Sequence, residues 1–158
     1  MVSSMKYARV IFCSRDCTYR APVAAEVLRK KMEDIPGLKH IRVSARGRVV
    51  MFPEPVNGKA VAIGRSKGLD LEKYTAIAIE KQDFHVETLV LVMTEADKKK
   101  IYDTYDNAIN VYTLKEFVGL TGDIEMPFGK SLADYGESFN QLQQLATEVA
   151  EKILQIQN

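Results

Sequence analysis

The segment that most constrains the predicted fold is the run Thr-Leu-Val-Leu-Val-Met at residues 88–93. It is apolar at almost every position, whereas a strand with one face in water would alternate polar and apolar residues. A second segment, residues 8–13, is also short, β-branched and largely apolar. Strands buried on both faces are typical of parallel sheets covered by helices, so these segments predict an α/β domain.

Helical patterns separate the predicted strands. Pro22 fits a first helical turn, because the N–H that it lacks would have no partner there. Asn57 is a residue type that caps helices, and Gly68 is one that stops them. The predicted elements are, in chain order, a strand at 8–13, a helix from 22 closed by Pro36-Gly37, a strand at 40–44, a helix from 57 to 67, a strand at 88–93, a helix from 94 to 104, a strand at 109–112, a short helix at 114–118 and a long helix from 131. One packed face is predicted on the last helix, formed by Leu132, Tyr135, Phe139, Leu142, Leu145, Val149 and Ile153.

Length and charge limit the classes of protein to which the chain can belong. Its 158 residues suit a single domain covering 1–158. It has 22 Lys and Arg against 21 Asp and Glu, and this balance argues against a binder of nucleic acid or anionic membrane. No segment approaches the roughly 18 apolar residues of a membrane span, and the N-terminus has no signal-peptide pattern. We therefore predict a cytoplasmic protein, monomeric or weakly dimeric, that contacts neither nucleic acid nor membrane.

The two cysteines, Cys13 and Cys17, lie close together in the sequence. Two are too few for a disulfide scaffold in a chain of this length. Their spacing, with both histidines distant, does not match a zinc pattern either. The sequence predicts reduced thiols, no metal and no cofactor.

The loop between the first strand and the first helix is the predicted ligand site. In open α/β sheets, ligands bind beyond the carboxyl ends of the strands. The helix that follows Arg20 directs its free N–H groups and the positive end of its dipole into this loop. Arg20 can bind two phosphate oxygens at once. The loop Ser14–Arg20 therefore predicts an anion cradle.

The segment Val10-Ile-Phe-Cys-Ser-Arg-Asp-Cys-Thr-Tyr-Arg-Ala-Pro22 resembles the start of the low-molecular-weight protein tyrosine phosphatases, where a strand precedes a C-x-G-N-x-C-R-S-P loop and a helix. Further segments are similar to that family in the same order, namely Val43-Ser-Ala45, Gly68-Leu-Asp70, Leu89–Thr94, Tyr112–Phe117 and Met126-Pro-Phe-Gly129. The resemblance implies a three-layer sandwich with helices on both faces of a four-stranded parallel sheet of order 2-1-3-4. It also implies a phosphate or phosphotyrosine-like ligand.

The resemblance assigns roles to individual residues. The anion-binding residues would be Ser14, Arg15, Asp16, Cys17, Thr18, Tyr19 and Arg20. Ser44 would support the loop by a hydrogen bond, and Phe52 and Phe128 would form the rim of the pocket.

Two positions depart from the family where the chemistry needs them most. Ser14 stands at the position of the nucleophilic cysteine, and Met126 stands at that of the general-acid aspartate. A serine hydroxyl needs an adjacent base to become a nucleophile, and the loop has no histidine or lysine. Losing a general acid typically costs about 10²–10⁴ in rate. The two changes together predict a protein that does not run the family reaction.

Asp16 and Cys17 replace the family's loop glycine and asparagine, and Tyr19 replaces its second cysteine. Asp16 brings a negative charge into a loop meant for anions. Unless it turns outward or pairs with Arg15, it repels phosphate or pairs with Arg20 itself. An aspartate also tolerates the left-handed backbone that a glycine would adopt.

The sequence leaves three functions open. The first is a pseudophosphatase that binds an oxyanion through Arg20 and the loop amides. The second is an active phosphomonoesterase that uses Cys13 or Cys17, with a proton from Glu125 or Asp123. The third is an arsenate reductase-like enzyme, which ranks last because no resolving thiol follows Cys17.

Overall fold

The computed structural model describes residues 6–157. Four parallel strands, β1 (Arg9–Ser14), β2 (Arg42–Gly47), β3 (Thr88–Val92) and β4 (Val111–Thr113), form one sheet in the order β2-β1-β3-β4. The helices are α1 (Arg20–Glu33), α2 (Gly58–Ser66), α3 (Glu95–Thr104), α4 (Leu114–Phe117) and α5 (Leu132–Gln157), with short 3-10 turns at Pro36–Leu38 and Lys81–Asp83. The predicted α/β sandwich and its strand order are confirmed.

Each face of the sheet has its own apolar core. Val10 and Phe12 of β1 pack with residues of α1 and α5 on one face. Ile11 and Cys13 point the other way and pack with Val92 of β3 and Ile101 of α3. Because side chains alternate along a strand, a strand that is apolar at every position supplies both cores.

Local signals located the second and third helices well. The Asn57 side chain accepts hydrogen bonds from the backbone N–H groups of Lys59 and Ala60, and so caps α2. Gly68 ends that segment with a φ of +76°, which an L residue adopts only at a cost. Thr94 caps α3 by accepting from the N–H of Asp97.

Several details of the elements differ from the sequence prediction, and the fourth strand is Val111–Thr113 rather than 109–112. The first helix begins at Arg20 rather than Pro22, because the N–H of Val23 donates to the carbonyl of Tyr19. The second strand covers 42–47 rather than 40–44, since its register pairs Arg9 with Arg42 and Ser14 with Gly47. Leu132 is 58% exposed because it is the first residue of α5, one turn before the packed face begins at Tyr135.

Between residues 6 and 157, no helix has the length and apolar character that crossing a bilayer requires.

Candidate functional site

The loop Ser14–Arg20 connects the carboxyl end of β1 to the amino end of α1. Three of its carbonyls accept hydrogen bonds from the crossover that follows β2. The N–H of Arg48 donates to Ser14 (2.9 Å), that of Val49 to Arg15 (2.7 Å) and that of Asn57 to Thr18 (2.8 Å). These bonds turn the loop carbonyls toward the crossover and fix the loop backbone.

Several loop N–H groups are free to bind an anion. The backbone N–H groups of Arg15, Asp16, Tyr19 and Arg20 have no acceptor within residues 6–157. Converging N–H groups at a helix N-terminus favour negative charge. These unpaired backbone N–H groups are the donors on which the predicted anion cradle depends, and anion binding there stays a prediction.

Two other loop N–H groups bind side chains of the loop itself. Ser14 is fully buried, and its Oγ accepts from the N–H of Cys17 at 3.1 Å. The Asp16 carboxylate accepts from the N–H of Thr18 at 3.3 Å and from its hydroxyl at 3.1 Å. The loop therefore offers fewer donors to an anion than its length suggests.

Asp16 neither pairs with Arg20 nor takes the left-handed backbone. Its carboxylate bonds Thr18, so the alternative in which Arg20 pairs with it directly is wrong. The left-handed residue of the loop is Cys17, with a φ of +62°. The Cys17 side chain is buried, so packing around it supports a backbone conformation that is unusual for this residue type.

Arg20 is only 7% exposed, and its guanidinium makes a single hydrogen bond with the described residues. Its Nη1 donates to the carbonyl of Ile124 at 2.8 Å, which links the loop to the segment preceding Met126. Its Nε is buried and has no partner in the described part of the chain. Burial lowers the pKa of Arg20, while Asp97 and, more weakly, Asp16 and Glu125 oppose that shift by favouring the charged form.

The loop has a support that the sequence did not predict. Asp97 of α3 is buried and accepts from Arg48 Nε at 2.7 Å, and the backbone of Arg48 holds Ser14. Gly47 lies so close that a Cβ there would be 3.0 Å from the backbone carbon of Asp16 and 2.7 Å from Val50 Cγ2. The Thr94-x-x-Asp97 pattern predicted a helix cap. Thr94 does cap the helix, while the Asp97 carboxylate pairs with Arg48.

Ser44 does not support the loop, and that prediction is wrong. Its Oγ accepts from Arg9 Nε and Nη2 at 3.4 and 3.3 Å, and Arg9 also pairs with Asp83. The side chain therefore stabilises neighbouring strands on the face that Ile11 shares. Phe52 and Phe128 are 61% and 66% exposed, and their place on a pocket rim stays a prediction.

Both thiols are inaccessible. Cys13 lies in the core, where burial raises its pKa well above the usual value. Burial also raises the pKa of Cys17 to about 11. Because the thiolate is the reactive form, burial of the two thiols disfavours their use as nucleophiles near neutral pH.

A groove of about 480 Å³ lies beside the loop, between the segment around Met126 and the start of α5. Two contacts connect it to the loop. Arg20 reaches Ile124, which precedes the groove wall, and the Tyr19 hydroxyl donates to the carbonyl of Tyr135 at 3.2 Å. Met126 lines the groove and also packs against the core.

The sequence model of the low molecular weight phosphotyrosine protein phosphatases matches residues 9–157. The chain belongs to this phosphatase family. It is 30% identical over 147 residues to the low molecular weight protein-tyrosine-phosphatase PtpB of Staphylococcus epidermidis, covering 89% of this chain and 96% of that protein.

Two solved structures of phosphatases are also similar. The low molecular weight protein tyrosine phosphatase of T. tengcongensis has a TM-score of 0.84 and 29% identity, with 91% of this chain and 98% of that chain covered. The YwlE arginine phosphatase, in a cysteine-to-serine mutant with a phosphorylated active-site serine, has a TM-score of 0.82 and 25% identity, with 92% and 95% covered.

Met126 stands at the position that the resemblance assigns to the phosphatase general acid. Its thioether has no proton to donate. Two carboxylates lie near Met126. Asp123 accepts from the N–H of Glu95 at 2.9 Å, at the N-terminus of α3. Glu125 is exposed and influences the charge of Arg20. Of the two alternative proton donors predicted from the sequence, Glu125 is the one free of such a backbone bond.

Proposed function

We propose that this phosphatase-family chain binds a phosphoryl group or related oxyanion in the loop Ser14–Arg20 and does not turn it over. The observation that carries the proposal is the division within that loop. Four of its backbone N–H groups and Arg20 Nε have no partner among the described residues, whereas its first side chain is a buried hydroxyl bonded to the N–H of Cys17. Anion binding needs only the donors, while hydrolysis needs a nucleophile as well.

The missing nucleophile has no replacement near the loop. The loop has no histidine or lysine to act as a base for Ser14, and a hydroxyl is far less acidic than a thiol. Cys13 and Cys17 are buried with raised pKa values. These features support binding without turnover over an active enzyme that uses either cysteine, although such an enzyme fits the family resemblance equally well.

The missing proton donor supports the same conclusion. Met126 cannot protonate a leaving phenolate, and Glu125 lies beside it on an exposed segment. A general acid must lie within hydrogen-bond reach of the leaving atom. Two independent catalytic functions are therefore weakened, while the anion donors stay in place.

Binding and turnover are tested separately. Titration calorimetry with inorganic phosphate is expected to detect binding, and Arg20→Lys is expected to weaken it about tenfold, because a charged fork contributes more than a point charge. Arg65→Lys is the matched control, since Arg65 is exposed and pairs with Glu72 away from the loop. Thermal unfolding of each variant checks that replacing the buried Arg20 leaves the protein folded.

Turnover is assayed with p-nitrophenyl phosphate between pH 6 and 7, and no activity is expected. Iodoacetamide is expected to leave both thiols unmodified in the native protein at neutral pH and to modify them after unfolding in urea. Activity abolished by Cys13→Ala or Cys17→Ala would establish the active-enzyme alternative. Failure to bind phosphate, with the fold intact, would remove the anion-binding role.

A second candidate function is a single phosphoryl transfer to Ser14. The phosphorylated active-site serine in the YwlE mutant favours it. In that step a bond forms between Ser14 Oγ and phosphorus, the bond from phosphorus to the aryl oxygen breaks, and the Ser14 proton passes to water. Mass spectrometry after incubation with p-nitrophenyl phosphate would find one phosphoryl group on Ser14. If Ser14 stays unmodified while phosphate binds, the function is non-covalent binding alone.

A further inference from the structure

The groove beside the loop is acidic, although the whole chain is nearly neutral. Glu125, Asp134 and Glu137 line it, against a single lysine, Lys130. The groove therefore carries two net negative charges in a chain with a net charge of +1. A local field of this sign attracts cationic groups and repels anionic ones.

Only one of the three carboxylates makes a hydrogen bond that stabilises the fold. Asp134 accepts from the N–H and the hydroxyl of Ser131, and so caps the start of α5. Glu125 and Glu137 are exposed and have no hydrogen bond or ion pair with any residue from 6 to 157. Their charges are available to a partner.

The buried Arg20 connects the groove to the anion cradle. The Arg20 side chain, in a residue only 7% exposed, extends from the end of the loop to the carbonyl of Ile124, whose next neighbour along the chain is Glu125. The Glu125 charge favours the charged form of Arg20. The acidic groove therefore lies next to the loop that is proposed to bind the phosphoryl group.

We propose that the ligand of the loop is a phosphorylated protein segment with arginine or lysine next to the phosphorylated residue, and that these basic side chains enter the acidic groove. The inference rests on the proposed binding of a phosphoryl group by the loop. The groove volume of about 480 Å³ accommodates one or two long basic side chains, and Met126 and Pro127 offer apolar surface to their methylene stems.

The test compares two synthetic phosphotyrosine peptides that differ only in having arginines or glutamines beside the phosphotyrosine. Fluorescence anisotropy with the full chain is expected to show the arginine peptide binding about fivefold more tightly at low salt, as for a few exposed ion pairs. Raising the ionic strength is expected to shrink this preference.

Charge variants identify the surface responsible. Glu137→Gln is expected to lower the preference for the arginine peptide about twofold, the effect of one exposed ion pair, and adding Glu125→Gln to lower it further. Glu151→Gln is the matched control, because Glu151 is exposed on the same helix but does not line the groove.

The outcomes separate the two proposals. If inorganic phosphate does not compete with either peptide, the loop does not hold the phosphoryl group and the proposed function fails. If phosphate competes but both peptides bind equally, the loop binds phosphate and the acidic groove selects nothing. A preference that survives the double variant would also overturn the assignment of the groove.

Discussion

The loop Ser14–Arg20 and the loop 119–130 both belong to the site that the family resemblance predicts, yet they are built in opposite ways. Four of the seven residues of the first are buried, and backbone bonds and the Asp97–Arg48 pair hold it. Most of the second is exposed, and Met126 stands in it where the family has an acid. Backbone donors come with the fold, whereas a catalytic proton depends on one side chain. The proposed anion binding therefore depends less than catalysis does on the side chains at positions 14 and 126.

Restoring both catalytic side chains gives the largest expected effect. Ser14→Cys places a thiol under the helix N-terminus and the loop N–H groups, which lower its pKa. Adding Met126→Asp is expected to raise the p-nitrophenyl phosphate rate by about 10²–10⁴ over the single variant. Equal rates for the single and the double variant would mean that the second loop no longer places an acid near the leaving group.

One carboxylate supports each of the two loops, and removing each in turn compares how much these supports contribute to stability. Asp97→Ala leaves the half-buried Arg48 without its partner, and is expected to reduce the free energy of unfolding by about 3 kcal/mol. Asp123→Ala removes an exposed helix cap, at a cost of about 1 kcal/mol. Urea unfolding measures both values. Similar costs would contradict the contrast in support.

Gly47→Ala tests how closely the crossover approaches the first loop. The added Cβ would lie 2.7 Å from Val50 Cγ2 and 3.0 Å from the backbone carbon of Asp16, so one of them must move. We expect a loss of about 2 kcal/mol in stability, together with weaker phosphate binding. Gly58→Ala is the matched control, because nothing lies within 4 Å of a Cβ there. Unchanged phosphate affinity in Gly47→Ala would show that the loop tolerates displacement.

Asp16→Gly gives the smallest expected effect. It removes a negative charge near Arg20 and releases the N–H of Thr18. Phosphate affinity, measured by calorimetry, is expected to rise about threefold, the size of one partly exposed charge interaction. A fall in affinity would mean that the turn formed by Asp16 and Thr18 shapes the cradle more than its charge opposes the anion.

The fold was largely predictable, because its signals are local or periodic. The apolar run at 88–93 fixed a strand buried on both faces, and Asn57 and Gly68 marked α2 at both ends. The position of the anion loop followed from the strand and helix beside it. The resemblance gave the strand order, which no local signal contains.

The sequence by itself determined the strands, the helices and which side chains the loop lacks for catalysis. Only the tertiary structure decided the partners of the polar side chains. Arg20 bonds Ile124 rather than Asp16, Ser44 bonds Arg9 rather than the loop, and Asp97 reaches Arg48. A polar side chain has several partners of similar energy within the sequence, and long-range packing selects among them. Apolar burial follows a period that can be read along the chain, while a hydrogen-bond partner depends on which groups the folded chain brings within about 3 Å.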